Sequence, residues 1–218
     1  MIEAPPVVTG LAVTLVAAHA LRVFSPPGWQ GYMLSAGSLQ PDRFWASAGL
    51  GAPGAVHYES AGSALVPFLA YAFLHDGWAA AILNAALIVI FGRGVHKALS
   101  GGRDNAFLSF VVVFAASVAG GALVHVISEY PAGTALIGAS GGASGLFAAW
   151  VLIQEGRRGR ILSRRFLTVF LFFAAVNLVL WLLGPAILGA RISWQAHLGG
   201  FLVGAITFQG LRRYRPFS

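Results

Sequence analysis

The sequence predicts an all-α, polytopic membrane protein with six transmembrane helices, and three observations carry that prediction. Of 218 residues, 57% are hydrophobic and only 10% charged, where a soluble domain carries about 25% charge. The apolar residues gather into six stretches of near-membrane length, and the basic residues alternate between the connections that join them. A chain this poor in polar surface cannot cover itself in water. In lipid, helices satisfy their own backbone groups, which would cost several kcal/mol each if left unpaired.

The stretches run over 7–24, 77–92, 105–127, 140–154, 166–183 and 194–211. A hydrocarbon core of about 30 Å takes about 20 helical residues, so the second and fourth are short. The first reads as a retained span. Ala18-His19-Ala20 has the look of a leader-cleavage site, but Met1-Ile2-Glu3 lacks the basic start of a leader.

Arg93, Lys97 and Arg103 follow the second stretch, and Arg157, Arg158, Arg160, Arg164 and Arg165 separate the fourth from the fifth. Arg212, Arg213 and Arg215 follow the sixth, so 11 of the 14 basic residues lie on one side of a six-span topology. The positive-inside rule makes that side cytoplasmic, with both termini inside a plasma (inner) membrane. The same spread excludes nucleic acid as a partner despite the net charge of +7, because flanking anchors do not make one recognition surface. The absence of cysteine excludes disulfides, thiolate metal sites and Cys nucleophiles. Residues 25–62 form a long outer connection rich in Gly, Pro and aromatics (Trp29, Tyr32, Phe44, Trp45, Tyr58). It is either an ordinary extracytoplasmic loop or a segment lying partly in the outer leaflet, where amphipathic aromatics are favoured. With no internal repeat and no second domain evident, residues 1–218 read as one membrane domain.

Polar groups inside a bilayer are costly, so each invites a functional reading. His19 and His125 fall near the outer ends of their stretches, within reach of water by snorkelling; His57 is in a loop and His96 among the cytoplasmic anchors. Ser140 differs, because Gly138-Ala139-Ser140-Gly141-Gly142 fits the G-x-S-x-G of a soluble nucleophile elbow. That elbow needs an acid downstream, yet no Asp follows Asp104 and the one Glu after Ser140 is Glu155, in a cytoplasmic connection. A Ser-His dyad remains.

Ser140 precedes Arg157 by 17 residues and His197 precedes Arg212 by 15. At 1.5 Å rise per residue each lies about 22–26 Å above its cytoplasmic anchor, so the two share a depth. Gly141, Gly145 and Ala149 on one stretch, and Ala196, Gly200 and Gly204 on the other, give small residues at four-residue spacing. Such faces let helix backbones approach closely in lipid. Asn84, about 12 Å into the second span if Asp76 caps it, is either an interhelical hydrogen-bonding amide or an oxyanion donor. No span carries a buried charge suited to ion coupling, which disfavours a small transporter.

Gly138-Ala139-Ser140-Gly141, Ala196-His197-Leu198-Gly199-Gly200 and His75…Asn84 resemble the rhomboid signature, in the same order and on spans four, six and two. The resemblance covers about residues 60–211. It implies an intramembrane serine endopeptidase acting on transmembrane-helix protein substrates, with no metal or nucleotide cofactor. Ser140 would be the nucleophile at the top of a short helix met by a loop from outside, and His197 its general base. Asn84 and the Ser140 backbone N–H would form the oxyanion hole. Gly142-Ala143-Ser144-Gly145 repeats the motif, but the family register selects Ser140 and leaves Ser144 packing near His197. Two departures stand out. Where the family commonly has a histidine four residues before the Asn, this chain has Ala80, and the family's Trp-Arg pair in the first outer loop is not evident. Ala80 keeps open a rival reading, a rhomboid-like protein that binds membrane clients without cutting them.

Overall fold

The computed structural model describes residues 4–100, 105–156, 160–187 and 192–213. Met1-Ile2-Glu3 and the anchors Arg103, Arg157, Arg158 and Arg215 lie outside the described residues. The regular structure of the described residues is helical, joined by loops, with one isolated antiparallel bridge between Leu39 and Leu136.

The long helices are α1 (Pro6–Phe24), α6 (Trp78–Ser100), α7 (Ala106–Ser128), α8 (Ser140–Gln154), α9 (Arg164–Ile187) and α10 (Trp194–Arg213). They coincide with the six apolar stretches, to within a few residues at most ends. Among the described residues, α1, α6, α7 and α9 are long and apolar enough to cross a membrane. α8 has only 15 residues, as its short stretch predicts. α6 corrects the other expectation of a short span, for it runs 23 residues. Its apolar run stops near Phe91, but Arg93, Lys97, Ala98 and Leu99 are good helix formers and carry the helix on.

Residues 25–73 are not a plain loop. α2 (Pro27–Gly37), α3 (Pro41–Ser47), α4 (Ala61–Leu65), α5 (Pro67–Ala70) and a 3-10 turn (Tyr71–Phe73) occupy this region. Proline opens α1, α2, α3 and α5, where its fixed φ suits the first turn and its missing N–H costs nothing. Ser60 and Ser63 form a capping box on α4. α2 buries no residue and leaves Trp29 and Tyr32 exposed. α3 is tied to the bundle by Trp45, whose Nε1 donates to the Val126 carbonyl at 2.9 Å and whose ring meets Tyr130 edge-on.

α7, α8 and α10 form the centre, with α6 on one flank and α1 beyond it. The small residues cited above mark the crossing of α8 and α10. A Cβ on Gly200 would collide with the Gly141 carbonyl, and one on Gly204 with the Gly145 backbone. A Cβ on Gly145 would also meet Ser117 of α7. In lipid, where apolar burial gives no net drive between helices, this close packing supplies the association energy. α9 is the least engaged long helix and buries only Phe166, Asn177 and Gly184.

Three polar residues depart from expectation. His19 and His125 do not snorkel, for each is 1% exposed. His19 packs edge-on against Trp78, and His125 is hydrogen-bonded at both ring nitrogens. Arg22, within α1, is a buried cation that the sequence reading denied to the spans. Its Nη2 donates to the His75 carbonyl at 2.6 Å, so the charge is held by a backbone acceptor rather than a carboxylate.

Candidate active site

Ser140 is the first residue of α8, and the turn before it explains its exposure to chemistry. Gly138 adopts φ +107°, a conformation that side chains oppose, and so reverses the chain directly into the helix. Three bonds hold that turn. Leu39 and Leu136 exchange backbone hydrogen bonds of 3.1 and 2.8 Å, and Gly138 N–H donates to the Tyr71 carbonyl at 2.9 Å. Ala139 N–H points at His75 Nε2, 3.4 Å away. Burial pushes the His75 imidazole down to about 4, helped by the neighbouring His19 and Arg22. The ring is therefore neutral near pH 7 and can accept.

The first intrahelical donor of α8 is Ala143 N–H, bonded to the Ala139 carbonyl at 3.0 Å. The N–H groups of Ser140, Gly141 and Gly142 precede it and have no acceptor within the helix. Donors of this kind suit a developing negative charge.

His197 lies in the first turn of α10, and a network at that end of the bundle fixes the turn. His125 Nε2 donates to the Thr134 carbonyl at 2.9 Å, leaving Nδ1 to accept from Ser193 Oγ, also at 2.9 Å. Ser193 Oγ accepts from Ala196 N–H, while Gln195 Nε2 donates to Glu129 Oε1 at 2.8 Å. The end of α7, the following loop and the start of α10 are thus joined by hydrogen bonds.

The structure brings Ser140 and His197 together, with Oγ and Nε2 2.6 Å apart. A hydroxyl this close to an imidazole is placed for proton transfer. Ser144 does not pack on His197 through a hydrogen bond; its Oγ donates back to the Ser140 carbonyl at 2.7 Å. Asn84 is buried on α6, the helix that flanks α8, and its side-chain amide forms no hydrogen bond among the described residues. The interhelical bond weighed from sequence is therefore not made. Ala80, one turn earlier, is exposed. Among the described residues no group of His, Cys, Asp and Glu could hold a metal ion.

One residue at the site escaped the sequence reading. Asn177 of α9 meets the far side of His197, its Oδ1 2.5 Å from Nδ1. The signal was available, since a lone amide in the apolar stretch 166–183 meets the same criterion that drew attention to Asn84.

Fold and site together define a multi-pass helical membrane protein with a serine and an imidazole paired between its helices. A family model described as the rhomboid domain matches residues 63–214, and the chain belongs to the rhomboid family. That family comprises intramembrane serine proteases, which act on transmembrane substrates within the bilayer, together with inactive relatives. No curated protein matches the chain.

Proposed function

We propose that this protein is an active intramembrane serine endopeptidase, and the observation that carries the reading is the 2.6 Å contact between Ser140 Oγ and His197 Nε2. Ser140 Oγ attacks the scissile carbonyl as its proton passes to His197 Nε2. The oxyanion is met by the Ser140 N–H and by Asn84. His197 then protonates the leaving amine, giving an acyl-enzyme that water hydrolyses by the reverse proton path. The Asn84 amide makes no hydrogen bond among the described residues and is therefore available to substrate, which supports its role.

Residues 1–218 form one domain of six spans, with α8 and α10 completing the four apolar helices. Both termini lie in the cytoplasm of a plasma (inner) membrane, and the active site opens to the outer side. α2, with Trp29 and Tyr32 outward, rests in the outer leaflet.

The test is Ser140-dependent labelling by a fluorophosphonate, with cleavage of a single-span substrate in the same membrane mimic. Wild type is expected to label and cleave, and Ser140→Ala to do neither. Ala80 favours the rival, a client-binding protein that does not cut. Absence of both labelling and cleavage in folded wild-type protein would make that rival the better reading.

A further inference from the structure

The geometry points to Asn177 as a positioning residue that completes a Ser-His-Asn relay by fixing the His197 ring in the one tautomer able to take the Ser140 proton. This rests on reading His197 as the general base. α9 buries a single stripe, Phe166, Asn177 and Gly184, spaced by roughly whole numbers of helical turns. Asn177 is the polar member of that stripe and is 2% exposed.

Its amide has one workable orientation. Nδ2 donates to the Phe173 carbonyl at 2.8 Å, one turn back on α9. Flipping the amide would set its oxygen against that carbonyl, two acceptors facing each other. Oδ1 therefore faces His197 Nδ1 as a pure acceptor, at 2.5 Å. An acceptor there requires the proton on Nδ1, which leaves Nε2 with a free lone pair toward Ser140 Oγ, 2.6 Å away. In the opposite tautomer Nε2 would carry the proton and could not act as base. No carboxylate is needed for this task, only a fixed acceptor. It also anchors to the base a helix that otherwise makes few inward contacts.

The test compares Asn177→Leu, close in size but without an acceptor, with Asn177→Asp, which keeps an acceptor oxygen. Two readouts are taken: kcat and KM for a single-span substrate, and the ¹⁵N chemical shifts of the His197 ring in histidine-labelled protein. Asn177→Leu should lower kcat by about 10- to 100-fold, the worth of one hydrogen bond to a group that becomes charged. KM should stay within about twofold, and the ring should lose its single Nδ1–H tautomer. Asn177→Asp should restore the tautomer and most of kcat. Should Asn177→Leu fail to fold, Asn177→Ala is read in its place. Native kcat in the acceptor-less variant, an unchanged Nδ1–H tautomer, or no recovery in folded Asn177→Asp would overturn the assignment. If wild type does not cleave at all, the protease reading fails, while the ring shifts still decide whether Asn177 sets the tautomer.

Discussion

Ser140 and Ser144 stand one turn apart in the same Gly-rich run, yet their surroundings give them different work. Ser140 Oγ meets His197, whereas Ser144 Oγ is spent on the Ser140 carbonyl. Ser140→Ala and His197→Ala should each abolish cleavage with helicity intact, because removing either member disables the unit. Ser144→Ala should retain most of the rate, and an inactive Ser144→Ala beside an active Ser140→Ala in the cleavage assay would reverse the assignment. Asn84→Ala should slow turnover about 10²–10³-fold, the usual loss for one oxyanion donor. His75 supplies a pH dependence. Its folded value of about 4 lies below the ordinary imidazole value of 6.5, so the unfolded chain takes up a proton first on acidification. Stability is full above about 6.5, declines as pH falls towards about 4, and declines no further from this group below that. Protonation also removes the acceptor for Ala139 N–H. The thermal midpoint in detergent should drop between pH 7.5 and about 4.5, by less in His75→Gln; equal drops would assign the effect to other groups.

At the scale of elements, the site depends on two helix ends held at contact. α8 and α10 approach so closely that Gly200 rests on Gly141 and Gly204 on Gly145. Gly200→Val has no space and must push the helices apart, at a cost of about 1–3 kcal/mol or more. Its thermal midpoint and its cleavage rate should fall together, because the same displacement separates Ser140 from His197. Gly210 faces open space on the same helix. Gly210→Ala should be neutral or slightly stabilising, since alanine is the better helix former by up to about 1 kcal/mol. Differential scanning fluorimetry of the two variants checks the contrast, and equal midpoints would argue against the glycine contact. The region 25–73 serves the site too, through Leu39 and Tyr71, which with the nearby His75 hold the turn before α8.

For the whole molecule, the alternation of basic residues predicts sidedness. A reporter fused after Arg165 should read as cytoplasmic and one near Gly49 as extracytoplasmic. Finding both on one side would break the six-span topology and with it the common depth of Ser140 and His197. The exposed apolar surface of α9, including Leu171, Phe172, Val179 and Leu182, suits a lipid-facing helix. It is balanced by the glycine-lined centre, where α7, α8 and α10 pack backbone to backbone.

The positions of the long helices were legible in the sequence because hydropathy over a membrane-length window is a local property. The shared depth of Ser140 and His197 was legible for a similar reason, since the helical rise per residue is constant. Even their contact was foreshadowed by Gly141, Gly145, Gly200 and Gly204. The short helices α2 to α5 were not legible. Each is a turn or a few turns opened by proline or serine, and α3 is held against the bundle by a distant partner, Trp45 with Val126. Nor could the sequence show that Arg22 and His75 meet, or that Asn177 turns toward His197. Hydropathy gives a helix its place along the membrane normal but leaves its rotation and its neighbours free. Those are decided by side-chain packing across the whole bundle, and they determine which polar groups find one another.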